Sequence, residues 1–118
     1  MIIKYDKKRI EIPVKEAGFF RKGFGLMFRG RETESLLFEF HNKFERNITS
    51  LFVFFSFLGI WIDGKNRVLK AEVIKPWRFS IKGPERAEKL VEVPINMKNQ
   101  RILRFFVGKM ERFKYPLD

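Results

Sequence analysis

From Ile48 to Ile62 the chain reads Ile-Thr-Ser-Leu-Phe-Val-Phe-Phe-Ser-Phe-Leu-Gly-Ile-Trp-Ile, and eleven of these fifteen residues are large and apolar. No charge falls between Arg46 and Asp63, although 33% of all residues are charged. Burying eleven such side chains contributes roughly 15–30 kcal/mol of gross transfer free energy. The fold is therefore expected to wrap around this segment. The run is apolar without alternation, so both of its faces have to be covered. As a helix it would rise about 24 Å, short of the ~30 Å hydrocarbon core of a bilayer. Its Phe, Val, Ile and Trp content favours strands instead. The pattern predicts two neighbouring buried strands, Ile48–Phe55 and Phe57–Ile62, bent near Ser56, and no membrane span.

The flanking segments follow shorter patterns. Residues Ile2–Tyr5 and Arg9–Val14 alternate apolar and polar around Asp6-Lys7-Lys8, which predicts a β-hairpin, with Pro13 marking an edge or a strand end. Ala17, Phe20 and Phe24 stand at near-helical spacing and predict a short helix over Lys15–Phe24. Ser35–Phe40 reads as a strand with Leu36, Phe38 and Phe40 on one face, and His41–Asn47 as a polar connection. Asp63-Gly64-Lys65-Asn66 is a hairpin turn, because Asp, Gly and Asn tolerate positive φ. Arg67–Ile74 returns as a strand, Lys75-Pro76-Trp77-Arg78 ends it, and Lys82-Gly83-Pro84 is a further turn. Ala87–Val93 is a strand stopped by Pro94. Asn96 then caps a helix over Met97–Arg104, with Ile102, Leu103 and Phe106 inward and Lys98, Arg101 and Arg104 outward. Val107-Gly108-Lys109 turns into a last strand near Met110–Phe113. Together these elements predict an α+β, mainly antiparallel β domain spanning residues 1–118. A small curved or closed barrel-like sheet of about seven strands, with one or two short helices, would cover the central run.

Composition narrows the function classes. Cysteine is absent, which excludes disulfides, zinc–thiolate sites and cysteine nucleophiles. The first residues, Met-Ile-Ile-Lys-Tyr-Asp, lack an apolar signal-peptide core, so a cytoplasmic location is expected. The net charge of +11 raises a polyanion as a partner. Its Lys and Arg residues are spread through the chain and interleaved with Glu, a pattern that also suits the surface of a thermostable protein.

Enzyme chemistry is hard to find. His41 is the one histidine, so no His-based metal cluster can form, and no cofactor or metal is expected. Asp63 reads as a turn residue rather than a general acid. Among Glu32, Glu34, Glu39 and Glu45 no pair has the spacing of an acid/base couple. Gly25-Leu26-Met27-Phe28-Arg29-Gly30 lacks the Gly-Lys-Ser/Thr ending of a phosphate loop and reads as a tight turn. The aromatics are the better lead. Trp77 sits between a proline and Arg78, and aromatic-plus-arginine surfaces stack sugars or bases.

Several short runs occur together in order: Gly25-Leu26-Met27-Phe28-Arg29, Ile60-Trp61-Ile62-Asp63-Gly64, Lys75-Pro76-Trp77, Val91-Glu92-Val93-Pro94 and Val107-Gly108. In this the chain resembles, over roughly residues 10–113, the uncharacterised protein family known as domain of unknown function 192. The resemblance implies a mostly β, barrel-like domain with no assigned biochemical role. The chain departs from the family where relatives carry a Pro-hydrophobic-Asp step, having Ser56, Phe57 and Leu58, and where they carry a histidine or tryptophan, having Thr49. If those polar groups bind a ligand in relatives, that function is changed here.

These readings predict a non-enzymatic binding or structural domain. Its expected site lies where Phe28, Arg29, Trp77 and Arg78 could converge, an arginine binding an anionic or hydroxylated group of a small ligand while Trp77 stacks on it. The alternative is a polyanion-binding, nucleic-acid-type surface of distributed Lys and Arg. The apolar excess further suggests a homodimer.

Overall fold

The structure is a computed structural model, which describes residues 1–16, 29–40, 47–48, 50, 53–78 and 80–107. Its centre is a five-stranded sheet built from β3 (Lys15–Glu16), β4 (Leu36–Glu39), β6 (Phe57–Ile62), β7 (Val68–Ile74) and β9 (Lys89–Pro94), in the order β3-β4-β9-β6-β7. The pairing is antiparallel except for β3 beside β4, which is parallel. Two small ribbons complete it: β1 (Ile2–Tyr5) with β2 (Lys8–Glu11), and β5 (Asn47–Ile48) with β8 (Ile81–Lys82).

All six residues of β6 are buried, as an unalternating apolar run requires, because the sheet is covered on both faces. On one face, Leu58, Ile60 and Ile62 join Val91 and Val93 beneath the β1–β2 hairpin (Ile3, Ile10) and the helix α1 (Gln100–Val107). On the other, Phe57 and Trp61 join Leu36, Phe38 and Leu90 beneath Val53, Phe55 and Ile81. The helix contributes Ile102, Leu103 and Phe106 to the first core and turns Arg101 and Arg104 to solvent. Its predicted cap is present. Asn96 accepts from the Asn99 amide at 3.0 Å and opens a 3-10 turn, Met97–Asn99, that leads into α1.

The 63–66 turn also forms as its residues dictate. Asp63 Oδ1 accepts from the amides of Lys65 and Arg67, both at 2.9 Å, and Asn66 takes φ 61°. Burial alone would raise the Asp63 carboxyl. The amides of Arg67 and Lys65 and the Arg67 guanidinium, 2.8 Å from Oδ2, outweigh that effect and hold it below the usual carboxylate range. Asp63 is a structural residue.

Four expectations need correction. Among the described residues the main sheet is open, with β3 and β7 at its edges, and not a closed barrel. Nine strands form among the described residues rather than about seven, because several are two-residue pairings too short to show in a hydrophobic pattern. Lys15–Glu16 opens as a strand beside β4 rather than as a helix, since the Lys15 amide is taken by the Ser35 carbonyl at 2.9 Å. Among the described residues of the predicted strand Ile48–Phe55, Ile48 alone lies in a strand. Residues 53–56 cross the sheet face irregularly, placing Val53 and Phe55 inward and Phe54 outward. The remainder of the predicted 15–24 helix, the predicted strand near 110–113 and residues 41–46 of the predicted His41–Asn47 connection lie outside the described residues, while Asn47 opens β5.

Candidate functional site

The sequence feature that pointed to a site, Lys75-Pro76-Trp77-Arg78, forms the turn that ends β7. Pro76 holds the second position and Trp77 the third, with φ 64°. A positive φ at the third position of a proline turn normally calls for glycine or asparagine. In tryptophan it costs on the order of 1–2 kcal/mol. The strain is held by Ser50, which is fully buried. The Ser50 hydroxyl donates to the Lys75 carbonyl at 2.7 Å and accepts from the Arg78 amide at 2.8 Å, joining the two ends of the turn. The Ser50 backbone adds two more bonds, its carbonyl accepting from the Trp77 amide at 2.8 Å and its amide donating to the Arg78 carbonyl at 2.9 Å. Four hydrogen bonds from one residue fix the whole turn.

This turn presents an indole to solvent. Trp77 is 47% exposed and Phe54 59%, yet their rings meet edge to face with centroids 5.4 Å apart. Such a pair is worth about 0.5–1.5 kcal/mol beyond its area, so the two rings form one exposed step. The side chains of Lys75 and Arg78 flank it and are exposed.

Arg29 is placed elsewhere. Its guanidinium donates to Thr33 Oγ1 at 2.9 Å and lies 3.6 Å from Glu34, in the loop that leads into β4. Because β4 runs antiparallel to β9, β9 to β6 and β6 to β7, the start of β4 and the end of β7 lie at the same end of the sheet. Three strand spacings of about 4.8 Å separate them, roughly 14 Å. Trp77 and Arg78 are thus adjacent, and Arg29 shares their end of the sheet without a bond to either. Lys98, 3.7 Å from Glu32, stands at that end as well, just past β9. Phe28 and Thr49 lie outside the described residues, as does His41. Leu58 is buried in the core beneath the hairpin and helix.

The sequence reading missed a second feature. Glu72, Gly59 and Glu92 are register partners across β7, β6 and β9, so the two carboxyls project from one sheet face on either side of a residue with no side chain. Ile74 leans into the space that glycine leaves, and its Cδ1 would lie 2.6 Å from a Cβ there. Glu92 is 5% exposed and one of its oxygens has no hydrogen-bond partner. Loss of hydration pushes its carboxyl up to about 8, so it is protonated at neutral pH. One oxygen of Glu72 is likewise buried and unpartnered, while the other lies 3.1 Å from the Lys70 ammonium. The Trp61 indole N–H, two residues along β6, also lacks a partner. In sequence Glu92 looks like the solvent face of an alternating strand. The signal that could have found it is the central run itself, because a strand buried on both faces leaves no wet side for its neighbour.

Among the described residues no group of three or more His, Asp or Glu side chains could hold a metal ion, and no helix is long and apolar enough to cross a membrane. No protein-family model matches the chain, and no curated protein or solved structure is significantly similar to it.

Proposed function

We propose that this chain is a non-enzymatic binding module for single-stranded nucleic acid, with the Phe54–Trp77 step as its stacking platform. The observation that carries the reading is the strained, exposed Trp77 held by four hydrogen bonds from a buried serine. Backbone strain at an exposed aromatic side chain suits a site of recognition better than a packing role. A base stacked on an exposed ring gains about 1–3 kcal/mol whatever its sequence, and Lys75 and Arg78 sit where the adjoining phosphates would lie. The chain's net charge of +11 favours the same partner. Both rings stand proud of the surface, so the reading is a platform rather than an enclosing pocket for a small molecule. Arg29 and Lys98 extend the basic surface along the same end of the sheet, partly offset by Glu32 and Glu34.

The resemblance to domain of unknown function 192 is part of the proposal. The three of its motifs that fall wholly on described residues occupy the end of β6 with its following turn, the Trp77 turn, and β9.

The test is a titration of a labelled single-stranded oligonucleotide followed by fluorescence anisotropy at several salt concentrations. Binding that weakens with a log–log slope of several units is expected. No detectable binding at low salt would overturn the reading.

A further inference from the structure

The β7 edge of the main sheet carries a pattern that nothing in the binding site uses. Among the described residues β7 is the last strand of the sheet and pairs with β6 on one side only. On its outer side, β1 reaches it just before its start, where Lys4 bridges Arg67 and the Lys4 amide donates to the Asn66 carbonyl at 2.9 Å. Beyond that point the outer backbone of Val68–Ile74 makes no hydrogen bond among the described residues. The part of this edge that β1 leaves open is a template for another strand.

The side chains select which strand. The sequence Val-Leu-Lys-Ala-Glu-Val-Ile is self-complementary about Ala71. If a second β7 lies antiparallel with Ala71 opposite Ala71, Lys70 faces Glu72 twice; a bulge opposite Trp61–Ile62 leaves Leu69 without a partner on β6, so the regular register centres on Lys70–Glu72. A shift that centres the pair on Lys70 or on Glu72 instead sets like charges opposite each other, which is destabilising. A lone inward-pointing lysine blocks edge pairing; here a glutamate two residues on answers it in one register. We propose that two copies of this chain pair through β7, antiparallel about Ala71, to form one continuous ten-stranded sheet. The two-fold axis makes the contact isologous and self-limiting, so it yields dimers and not fibres. The net charge of +11 on each copy opposes the pairing over long range, and physiological salt screens it within about 8 Å.

The experiment is sedimentation equilibrium on the full chain, with circular dichroism to show that each variant is folded. Wild type is expected at twice 14.2 kDa. Lys70→Glu sets Glu against Glu in both symmetric contacts, and Glu72→Lys sets Lys against Lys. Each variant alone is expected to dissociate about tenfold more readily. Mixed in equal amounts they are complementary again and return to the dimer mass. Should either variant misfold, Ala71→Cys supplies the second measurement. The chain has no other cysteine, so oxidation is expected to give a single covalent dimer. A wild-type monomer at the highest soluble concentration, or a mixture of the two charge variants no more associated than each alone, would overturn the proposal.

Discussion

The amide of Trp77 donates to the carbonyl of Ser50 at 2.8 Å, an exposed aromatic residue tied to a fully buried one. Around this bond the Ser50 hydroxyl closes the turn from Lys75 to Arg78. Ser50→Ala removes that hydroxyl and leaves the Lys75 carbonyl and the Arg78 amide to find other partners. Destabilisation of about 1–3 kcal/mol is expected in urea unfolding, together with weaker oligonucleotide binding as the platform loosens. Full retention of both would show that the backbone bonds alone hold the turn.

At Trp77 itself, stability and recognition are expected to separate. Glycine accepts φ 64° without the penalty an L side chain carries. Trp77→Gly should therefore unfold about 1 kcal/mol later than Trp77→Ala, although both lose the indole. Comparing the two variants cancels the lost Phe54 contact, and equal stabilities would mean that the turn relaxes.

Glu92 makes the fold sensitive to alkali. Its carboxyl is raised from 4.5 to about 8 in the folded state, so between those values the folded chain holds a proton that the unfolded chain has released. Its contribution is fully present below pH 4.5 and is lost as pH rises to about 8, with a slope of up to roughly 1.4 kcal/mol per unit. Glu92→Gln, neutral at every pH, is expected to match wild type near pH 4.5 and exceed it near pH 9 in chemical unfolding. A wild-type profile as flat as that of the variant would contradict the assignment.

Two glycines rank by what surrounds them. A Cβ on Gly59 meets the flexible end of Ile74, whereas one on Gly83 meets three ring carbons of Trp61. That indole is fully buried and stacked against Phe40 with centroids 5.9 Å apart. Gly59→Ala should cost about 1 kcal/mol and Gly83→Ala about 3 kcal/mol or more, in thermal or urea unfolding. The reverse order would mean that Trp61 moves more easily than Ile74.

How much of this was legible in the sequence depends on what each residue's neighbours are. The hairpin at Asp6, the Asp63–Asn66 turn, the Asn96 cap and the inward face of α1 rest on local chemistry, and all are present. The buried strand Phe57–Ile62 was legible because an unalternating apolar run has no wet side to offer. Val53–Ser56 was not, because the same apolar composition fills a core equally well as an irregular segment laid across a sheet. Lys15–Glu16 was read as helix because a two-residue parallel pairing with Leu36 leaves no periodicity. Trp77 was legible as an oddity beside Pro76, but its positive φ and its buried anchor Ser50, 27 positions earlier, exist only in three dimensions. Glu92 was hidden by ordinary strand alternation until the second face of the sheet proved to be covered.

The most direct test of the binding reading compares oligonucleotide affinity of wild type, Trp77→Ala and Arg78→Gln at one salt concentration and across a salt series. Trp77→Ala is expected to weaken binding about tenfold or more while leaving the salt slope unchanged, because it removes stacking and no charge. Arg78→Gln should lower the slope by about one. Affinity of Trp77→Ala equal to that of wild type would contradict the account.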